Sequence, residues 1–307
     1  MSDPTPPAPE ALEIVCADGE RLAGHFLAGR GAVRAAPVLI SPATGVRQHF
    51  YLHFADWLAG QGHDVLVFDY RGIGLSRRGP LRESRATLAQ WGQLDQAAAL
   101  DTLLQRSGRE QAVIVGHSAG GQMIGLLHNH HRVERLVGVA ASTGWFGGMR
   151  PAFRARAHLG LRWLVPLGIR LRGYGPTAAL GLGEDLPAGV ARQWGQWCAA
   201  GGYATNAVRQ QPALDFHAQV RSPVQVLYAE DDDIANDATV ADLLRTLPSA
   251  PRRAHRVAPA RHGLRGLGHL DWFRRSHRAV WPLIAGAVQG RAPGAGDGHE
   301  LSLPSSD

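Results

Sequence analysis

The sequence predicts an α/β protein in which a mostly parallel central sheet carries helices on both faces and is interrupted by one inserted, mainly helical lid. Two observations predict this class. Short apolar runs alternate with segments of helical periodicity along most of the chain, which is typical of a parallel sheet with crossover helices. Between about residues 144 and 211 the alternation stops, and the chain is rich in tryptophan, glycine and proline.

The alternating elements can be assigned in chain order. Strands are predicted where short apolar or alternating runs lie between turn residues, at LEIVCA, RLAGHFLAG, PVLIS, HDVLVFDY, QAVIVGH, VERLVGVAAS, PVQVLYA and RRAHRVA. Helices are predicted where apolar residues recur at helical spacing, at FYLHFADWLAGQG, LAQWGQLDQAAALDTLLQRSG, AGGQMIGLLHN, ATVADLLRTL and WFRRSHRAVWPLIAGAV.

These elements divide the chain into a body, a lid and two tails. Residues 11–143 and 212–290 carry the alternation and form the predicted sheet domain. Residues 144–211 are too long for a simple connection in a compact domain, so the predicted lid should contain helices of its own. Residues 1–10 and 291–307 show no apolar period and are rich in Pro, Gly, Ser and Asp, which predicts loose tails.

The composition excludes several kinds of chemistry. The chain has 307 residues, and all 32 of its basic residues are arginine. Without lysine there can be no Walker-type phosphate lysine, no cofactor Schiff base and no Ser-Lys dyad. The net charge is +6, but the arginines are scattered rather than arranged in a stripe, so we expect no specific nucleic-acid partner.

The expected location is a reducing cytoplasm. No apolar run of eighteen or more residues occurs, which predicts no membrane span, and the first ten residues do not have the pattern of a secretory signal. Cys16 and Cys198 lie far apart and match no metal or redox spacing, so no disulfide framework is expected.

The strongest chemical signal is the run Gly116, His117, Ser118, Ala119, Gly120, which has the pattern G-x-S-x-G. It follows an apolar strand and precedes a helical pattern, the context that a nucleophile elbow requires. Its small residues allow a tight turn that lifts the Ser118 hydroxyl above the sheet, and the Ala119 amide would then face a developing oxyanion. The alternative is a plain glycine-rich turn at the start of a helix.

A nucleophilic serine needs a base and an acid that orients the base. Glu230, Asp231, Asp232 and Asp233 follow the strand PVQVLYA, where such an acid is expected. We favour Asp232 because residues 229–236 can be laid on a G-x-x-D-x-I-x-P turn. Asp231 and Asp233 remain alternatives, and the whole cluster could instead be a solvated helix N-terminus.

The base is expected where a loop leads into the last predicted helix. Gly268 and His269 lie at this position, so we favour His269, and His262 is the competitor seven residues earlier. The histidines of HNHH, at residues 128–131, have no acidic or cysteine partner nearby, so no metal is expected there. We expect no cofactor.

Several of these segments together resemble an alpha/beta-hydrolase. The resemblance rests on VLISPATGVRQHFYLHFADWLAGQGHDVLVFDYRGIGLS, GHSAGG, AEDDDIA and GLGHLDWFR. It covers nearly the whole predicted body, and it implies the alpha/beta-hydrolase fold and a triad of Ser118, Asp232 and His269 in the family's chain order. The lid, notably GYGPTAALGLGEDLPAGVARQWGQW, is similar to that of a bacterial branch of predicted hydrolases.

The loop after the third strand departs from the wider family. Many relatives have His-Gly at this position, where a backbone amide is the second oxyanion donor, whereas this chain has Ser41, Pro42, Ala43, Thr44 and Gly45. A backbone donor does not depend on its side chain. The resemblance assigns the amide to Thr44, with Ala43 and Gly45 as alternatives.

The lid contains the candidates for substrate contact. Trp145, Trp163 and Trp194 could line an acyl pocket, or could be buried anchors that join the lid to the body. Six arginines between residues 150 and 172 alternate with apolar side chains. They would suit an acyl chain with a carboxylate or an anionic membrane, or they could simply face water while the helix packs its other face.

The predicted function is a cofactor-independent serine hydrolase that cleaves a carboxylic ester through an acyl-enzyme on Ser118. Its partner would be a small-molecule acyl substrate. The alternatives are a thioesterase, an amidase or an acyltransferase with the same triad, and a noncatalytic hydrolase-like protein that binds a small ligand. A dehalogenase or epoxide hydrolase is disfavoured because those relatives have Asp where this chain has Ser118.

Overall fold

A mostly parallel sheet forms the centre of the molecule. The computed structural model describes residues 8–31, 34–209, 211–294 and 296–302. The strands in these ranges are β1 (Glu10–Val15), β2 (Arg21–Leu27), β3 (Val38–Ser41), β4 (Val65–Phe68), β5 (Ala112–His117), β6 (Val133–Val139), β7 (Tyr174–Gly175), β8 (Leu186–Pro187), β9 (Val224–Ala229), β10 (Arg252–Val257) and β11 (Gly298–Glu300).

Among the described residues, nine of these strands form one sheet in the order β1-β2-β4-β3-β5-β6-β9-β10-β11. The six strands from β4 to β10 in this order pair in parallel, whereas β1, β2 and β11 are antiparallel at the two sides. Every residue of β3, β4, β5 and β9 is buried. Strands that are covered on both faces have continuous apolar sequences, and the predicted fold class is confirmed.

Nine α-helices occur in the described ranges and connect or cover the strands. They are α1 (Leu52–Ala59), α2 (Leu88–Gln90), α3 (Ala97–Ser107), α4 (Pro151–Leu159), α5 (Val165–Arg172), α6 (Ala188–Ala199), α7 (Thr205–Val208), α8 (Asp237–Arg245) and α9 (Trp281–Val288). A π-helical turn joins α2 to α3, and another joins α4 to α5. No helix of the described chain combines the length and the apolar character needed to cross a bilayer.

Two predicted helices differ from the observed structure. The segment after Ser118 forms only the 3₁₀ turns Ser118–Gly121 and Ile124–Leu126. The chain passes so close to the sheet here that a Cβ on Gly121 would lie 2.8 Å from the Gly116 carbonyl oxygen, and a run of glycines weakens helical order. The last predicted helix begins as 3₁₀ turns and becomes α-helical only at Trp281, next to a proline at its first turn.

The inserted segment, residues 144–211, contains α4 to α7 and lies between β6 and β9 in the chain. It also contains a short antiparallel pair, β7 with β8, which the sequence did not predict. Helix α4 has no fully buried residue, whereas α5 buries two apolar side chains and α6 buries four. The division of the chain at 144 and 211 stays a prediction.

The prediction of a loose C-terminal tail is wrong for residues 298–300. These residues form β11, which pairs with β10 from His255 to Val257. The pairing satisfies backbone groups that an edge strand would otherwise leave open. Residue 10, which was assigned to the N-terminal tail, is the first residue of β1. Residues 1–7 and 303–307 of the predicted tails lie outside the described residues.

A buried ion pair fixes the loop that follows β4. Arg71 donates from Nε to Oδ1 of Asp95 at 2.6 Å and from its backbone amide to Oδ2 at 2.9 Å. The same guanidinium donates to both carboxylate oxygens of Asp18. Burial raises the pKa of the Asp95 carboxyl to about 6, although Arg71 acts in the opposite direction. Arg71 therefore braces this loop.

We expect Asp95→Asn to lower the free energy of unfolding by about 3 kcal/mol, because it removes the fully buried counter-charge of the Arg71 guanidinium and leaves only the partly exposed Asp18. The matched control is Asp101→Asn, whose partner Arg132 is partly exposed like Asp101 itself; it should cost less than about 1 kcal/mol. Urea unfolding followed by tryptophan fluorescence measures both. Equal losses in the two variants would contradict this account of the pair.

Candidate active site

The turn that carries Ser118 is strained and closely packed. Ser118 follows β5 directly and has a φ of +48°, in the left-handed region that side chains rarely adopt. A Cβ on Gly120 would lie 2.1 Å from the Ser41 carbonyl oxygen, and one on Gly116 would lie 2.4 Å from the Gly121 amide nitrogen. Only glycine fits at these two positions, and the turn presents the Ser118 side chain at the carboxyl end of β5.

The structure brings Ser118, His269 and Asp232 together. The Nε2 atom of His269 lies 2.9 Å from Ser118 Oγ, and its Nδ1 atom lies 2.8 Å from Asp232 Oδ2. Because a carboxylate only accepts hydrogen bonds, Nδ1 carries the proton and Nε2 of the neutral ring accepts from the serine hydroxyl. The Asp232 side chain is fully buried, whereas the ring of His269 is 16% exposed.

The local chain holds the Asp232 carboxylate in place. Its Oδ1 atom accepts the backbone amides of Ile234 at 2.8 Å and Ala235 at 2.9 Å. Its Oδ2 atom is thereby left for His269. The carboxylate is thus buried with three hydrogen bonds, which offset the cost of removing its charge from water.

Asp231, an alternative for the acid that orients the base, contacts the loop before His269 rather than the ring itself. Its two carboxylate oxygens accept the backbone amides of Leu267 at 2.9 Å and Gly268 at 3.0 Å. These residues directly precede His269. Asp231 therefore fastens the loop that carries the imidazole, a contact across 36 residues that the acidic run DDD could not reveal.

The other two alternatives lie away from the serine. Asp233 is partly exposed and approaches Arg150 at 3.6 Å. The Nε2 atom of His262 lies 3.9 Å from Asp297 Oδ1. The hydrogen bond to Ser118 comes from His269 instead.

A second chain of hydrogen bonds, missed by the sequence analysis, runs behind the site. The Ala43 amide donates to Tyr51 Oη at 2.9 Å, and this oxygen lies 2.8 Å from Nδ1 of His117. The Nε2 atom of His117 lies 2.9 Å from the backbone carbonyl oxygen of His269. Because a carbonyl only accepts, His117 donates from Nε2 and accepts at Nδ1 from the tyrosine hydroxyl.

The His117 ring stays neutral within this series of hydrogen bonds. Burial, together with the neighbouring His269, lowers the pKa of His117 to about 3. A neutral ring with Nε2 protonated is the form that both of its hydrogen bonds require. The histidine inside the G-x-S-x-G motif was the available sequence signal, but its partner Tyr51 lies 66 residues away.

The predicted oxyanion residues lie at the same end of the sheet. Ala119 is buried directly after Ser118, and Thr44 lines the same cavity as Ser118. Thr44 and Gly45 are the central residues of a turn closed by a hydrogen bond from the Val46 amide to the Ala43 carbonyl at 3.1 Å. The amide of Ala43 is already engaged by Tyr51, and Gly45 is not part of the cavity wall.

An apolar cavity of about 460 Å³ opens over Ser118 and His269. Its volume is within the range of small-molecule sites. The side chains from the inserted segment that line it are mostly apolar, among them Phe146, Met149, Phe153, Leu161, Leu164 and Trp194. Cys198 also lines the cavity, and burial raises the pKa of its thiol to about 12. The thiol therefore stays protonated and is a poor nucleophile.

Two of the three tryptophans predicted to line an acyl pocket do not do so. Trp194 lies in the cavity wall. Trp163 is 69% exposed, because it projects from the side of its helix that faces away from the body. Trp145 folds over its own turn, where a Cβ on Gly147 would lie 2.4 Å from the indole ring. The neighbouring Phe146 reaches the cavity in its place.

The pH dependence of stability tests the neutral state of His117. Its folded pKa of about 3 lies below the ordinary 6.5, so between these values the unfolded chain binds a proton that the folded chain does not. This contribution is complete above pH 6.5 and is lost as the pH falls toward 3. We expect the free energy of unfolding to fall less steeply with acid in His117→Gln, by up to about 1.4 kcal/mol per pH unit.

Urea unfolding across this pH range measures the two slopes. The exposed His128 offers the control His128→Gln, which should keep the slope of the parent. Parallel profiles for the parent and His117→Gln would show that His117 is not held neutral by its surroundings.

Comparison with known proteins agrees with this architecture. A family model described as alpha/beta hydrolase fold matches residues 42–164. The uncharacterized protein YfhR of Escherichia coli is 32% identical over 127 residues, which are 39% of this chain and 42% of that protein. The match thus spans less than half the length of this curated relative.

Solved structures extend the likeness to nearly the whole chain. A soluble variant of monoglyceride lipase from Saccharomyces cerevisiae superposes with a TM-score of 0.63 at 15% identity, covering 95% of this chain and 99% of that chain. A thermophilic esterase from Thermogutta terrifontis gives 0.53 at 18% identity, covering 92% and 98%. Identities this low establish a shared fold. Together with the family model over residues 42–164, they show that the chain has the alpha/beta-hydrolase fold.

Proposed function

We propose that this chain is a serine hydrolase that cleaves a carboxylic ester through an acyl-enzyme on Ser118. The alpha/beta-hydrolase fold and the family model over residues 42–164 support a hydrolase. The single observation that carries the finer proposal is the hydrogen-bonded series from Ser118 Oγ through the His269 ring to the Asp232 carboxylate. The serine at its end lies in the wall of an apolar cavity.

In the proposed reaction, His269 Nε2 takes the hydroxyl proton as Ser118 Oγ attacks the acyl carbonyl carbon. The carbonyl becomes a tetrahedral oxyanion, and the buried Asp232 stabilises the imidazolium. His269 then gives its proton to the departing alkoxide oxygen, which leaves as the alcohol. Water repeats the attack on the acyl-enzyme, with the same base, and releases the carboxylic acid.

The backbone amides of Ala119 and Thr44 are proposed to hold the oxyanion. Ala119 is the residue after the nucleophile, at the start of its turn, where an amide has no acceptor within the turn. Thr44 is favoured over Ala43, whose amide donates to Tyr51, and over Gly45, which is not in the cavity wall. Fixed donors aimed at a developing charge need no reorganisation during the reaction.

The cavity supports a small-molecule substrate with an apolar acyl group. Its wall from the inserted segment is mainly aromatic and aliphatic, and few polar side chains line it. We propose that the inserted segment is the lid of this site, because it supplies more than half of the residues that line the cavity.

Replacing the proposed nucleophile gives the first test. Ser118→Ala should lower kcat/KM for p-nitrophenyl butyrate by about 10⁴-fold or more, because it removes the atom that forms the acyl-enzyme. It should also abolish covalent labelling by a fluorophosphonate probe. The control Ser276→Ala changes an exposed serine that bonds its neighbour His277, and both signals should remain. Unchanged hydrolysis or labelling in Ser118→Ala would refute the proposal.

A series of three adjacent substitutions tests the assignment of the acid. Asp232→Asn should lower kcat by about 10⁴-fold, because an amide cannot stabilise the imidazolium or select its tautomer. Asp233→Asn, the matched control, should leave kcat near that of the parent. The kcat of Asp231→Asn should lie between those of the other two variants, because this substitution loosens the loop before His269 but does not contact the ring. Steady-state kinetics on p-nitrophenyl butyrate measure kcat for all three variants. A loss of kcat in Asp233→Asn as large as that in Asp232→Asn would contradict the assignment.

A further inference from the structure

The helical stretch from Gly160 to Arg172 has two apolar faces, and only one of them is covered. Leu161, Val165 and Ile169 are spaced four residues apart, so they share one face, and all three are buried against the rest of the protein. This contact explains how the stretch is held. The opposite side of the helix is not covered by this contact.

The opposite side carries Trp163, Leu167 and Leu171, which are again four residues apart. Their exposed fractions are 69%, 52% and 74%. The neighbouring Leu159 and Leu164 are also exposed. We call these five side chains the outer face. They are five of the nine large hydrophobic residues that are exposed in the described part of the chain, so the exposure is concentrated in one place.

The charged residues of the segment that carries the outer face have a single sign. No aspartate or glutamate occurs from residue 135 to residue 183. The same helical segment, residues 151–172, carries five exposed arginines: Arg154, Arg156, Arg162, Arg170 and Arg172. Within the ranges that the structure describes, none of the five forms an ion pair with a carboxylate. The surface therefore combines exposed apolar groups with uncompensated positive charge.

We propose that the outer face docks on an anionic lipid surface. Trp and Leu side chains bury at the boundary between headgroups and acyl chains, while arginines at the same level contact lipid phosphates. A twofold pairing of two copies through this face would bring arginines against arginines, so the charge favours a lipid surface over a second copy. Docking does not require a membrane-spanning helix.

The outer face is continuous with the cavity. Leu159 and Leu164 belong to the outer face and also line the cavity above Ser118. A lipid surface bound here would therefore lie against the rim of the proposed active site. Vesicle binding involves no hydrolysis, so the docking proposal and the proposed function can fail separately.

Cosedimentation of the full chain with vesicles tests the docking. We expect binding to phosphatidylcholine vesicles that contain phosphatidylglycerol, weaker binding to phosphatidylcholine alone, and loss of the difference at high salt. The triple variant Trp163→Gln, Leu167→Gln, Leu171→Gln should reduce partitioning by at least about 10-fold. The triple variant Arg162→Gln, Arg170→Gln, Arg172→Gln should reduce it by about 100-fold on anionic vesicles only.

The matched control replaces three exposed apolar residues elsewhere, as Val15→Gln, Leu75→Gln, Leu214→Gln, and should bind as the parent does. Circular dichroism of all variants checks that they fold. Absence of binding to anionic vesicles, or equal binding by the parent and the Trp163 triple variant, would overturn the proposal. A second outcome would also overturn it. If light scattering shows that the parent is a dimer, that the Trp163 triple variant is a monomer, and that neither binds vesicles, the outer face is an interface between two copies of the chain.

Discussion

The position of the His269 ring relative to Ser118 is the constraint on which the rest of the site depends. The ring is carried by a loop with little regular structure, and three separate contacts hold it. Asp232 orients the ring through Nδ1, Asp231 binds the two amides that precede it, and His117 donates to its backbone carbonyl. Together the three contacts fix the ring position that puts Nε2 at 2.9 Å from Ser118 Oγ.

These contacts converge because of the order of the strands. Ser118 and Asp232 follow parallel strands separated by one other strand in the sheet, and His269 follows β10, which pairs with β9. The carboxyl ends of parallel strands lie at one edge, where α/β proteins place their sites. Buried polar groups at this edge are costly unless they are paired. The pairing links the loop after β3, the serine turn and the histidine loop through Tyr51 and His117.

Local patterns in the sequence predict much of this arrangement. Burial on both faces makes the central strands apolar throughout, and the G-x-S-x-G turn needs its glycines within five residues, so both features are visible in a short window. Asp232 could be chosen through the turn that follows it, and His269 through the helix that it precedes. All of these signals depend on neighbours along the chain.

The features that sequence reasoning missed depend on distant neighbours. Tyr51 has a role only because folding brings it to His117, and Asp231 differs from Asp232 only in which loop it contacts. The choice among Trp145, Trp163 and Trp194 depends on which side of the inserted segment faces the body. The pairing of β11 with β10 likewise depends on an edge strand that is remote in the chain.

The two walls of the cavity are held by different means. The wall formed by the sheet loops is fastened by buried hydrogen bonds, whereas α4, which supplies Phe153, Arg156 and Leu159 to the other wall, has no fully buried residue. Local opening costs least where few apolar contacts are broken. Displacement of α4 is therefore the least costly way to open this cavity, and it leaves the hydrogen bonds among Ser118, His269 and Asp232 intact.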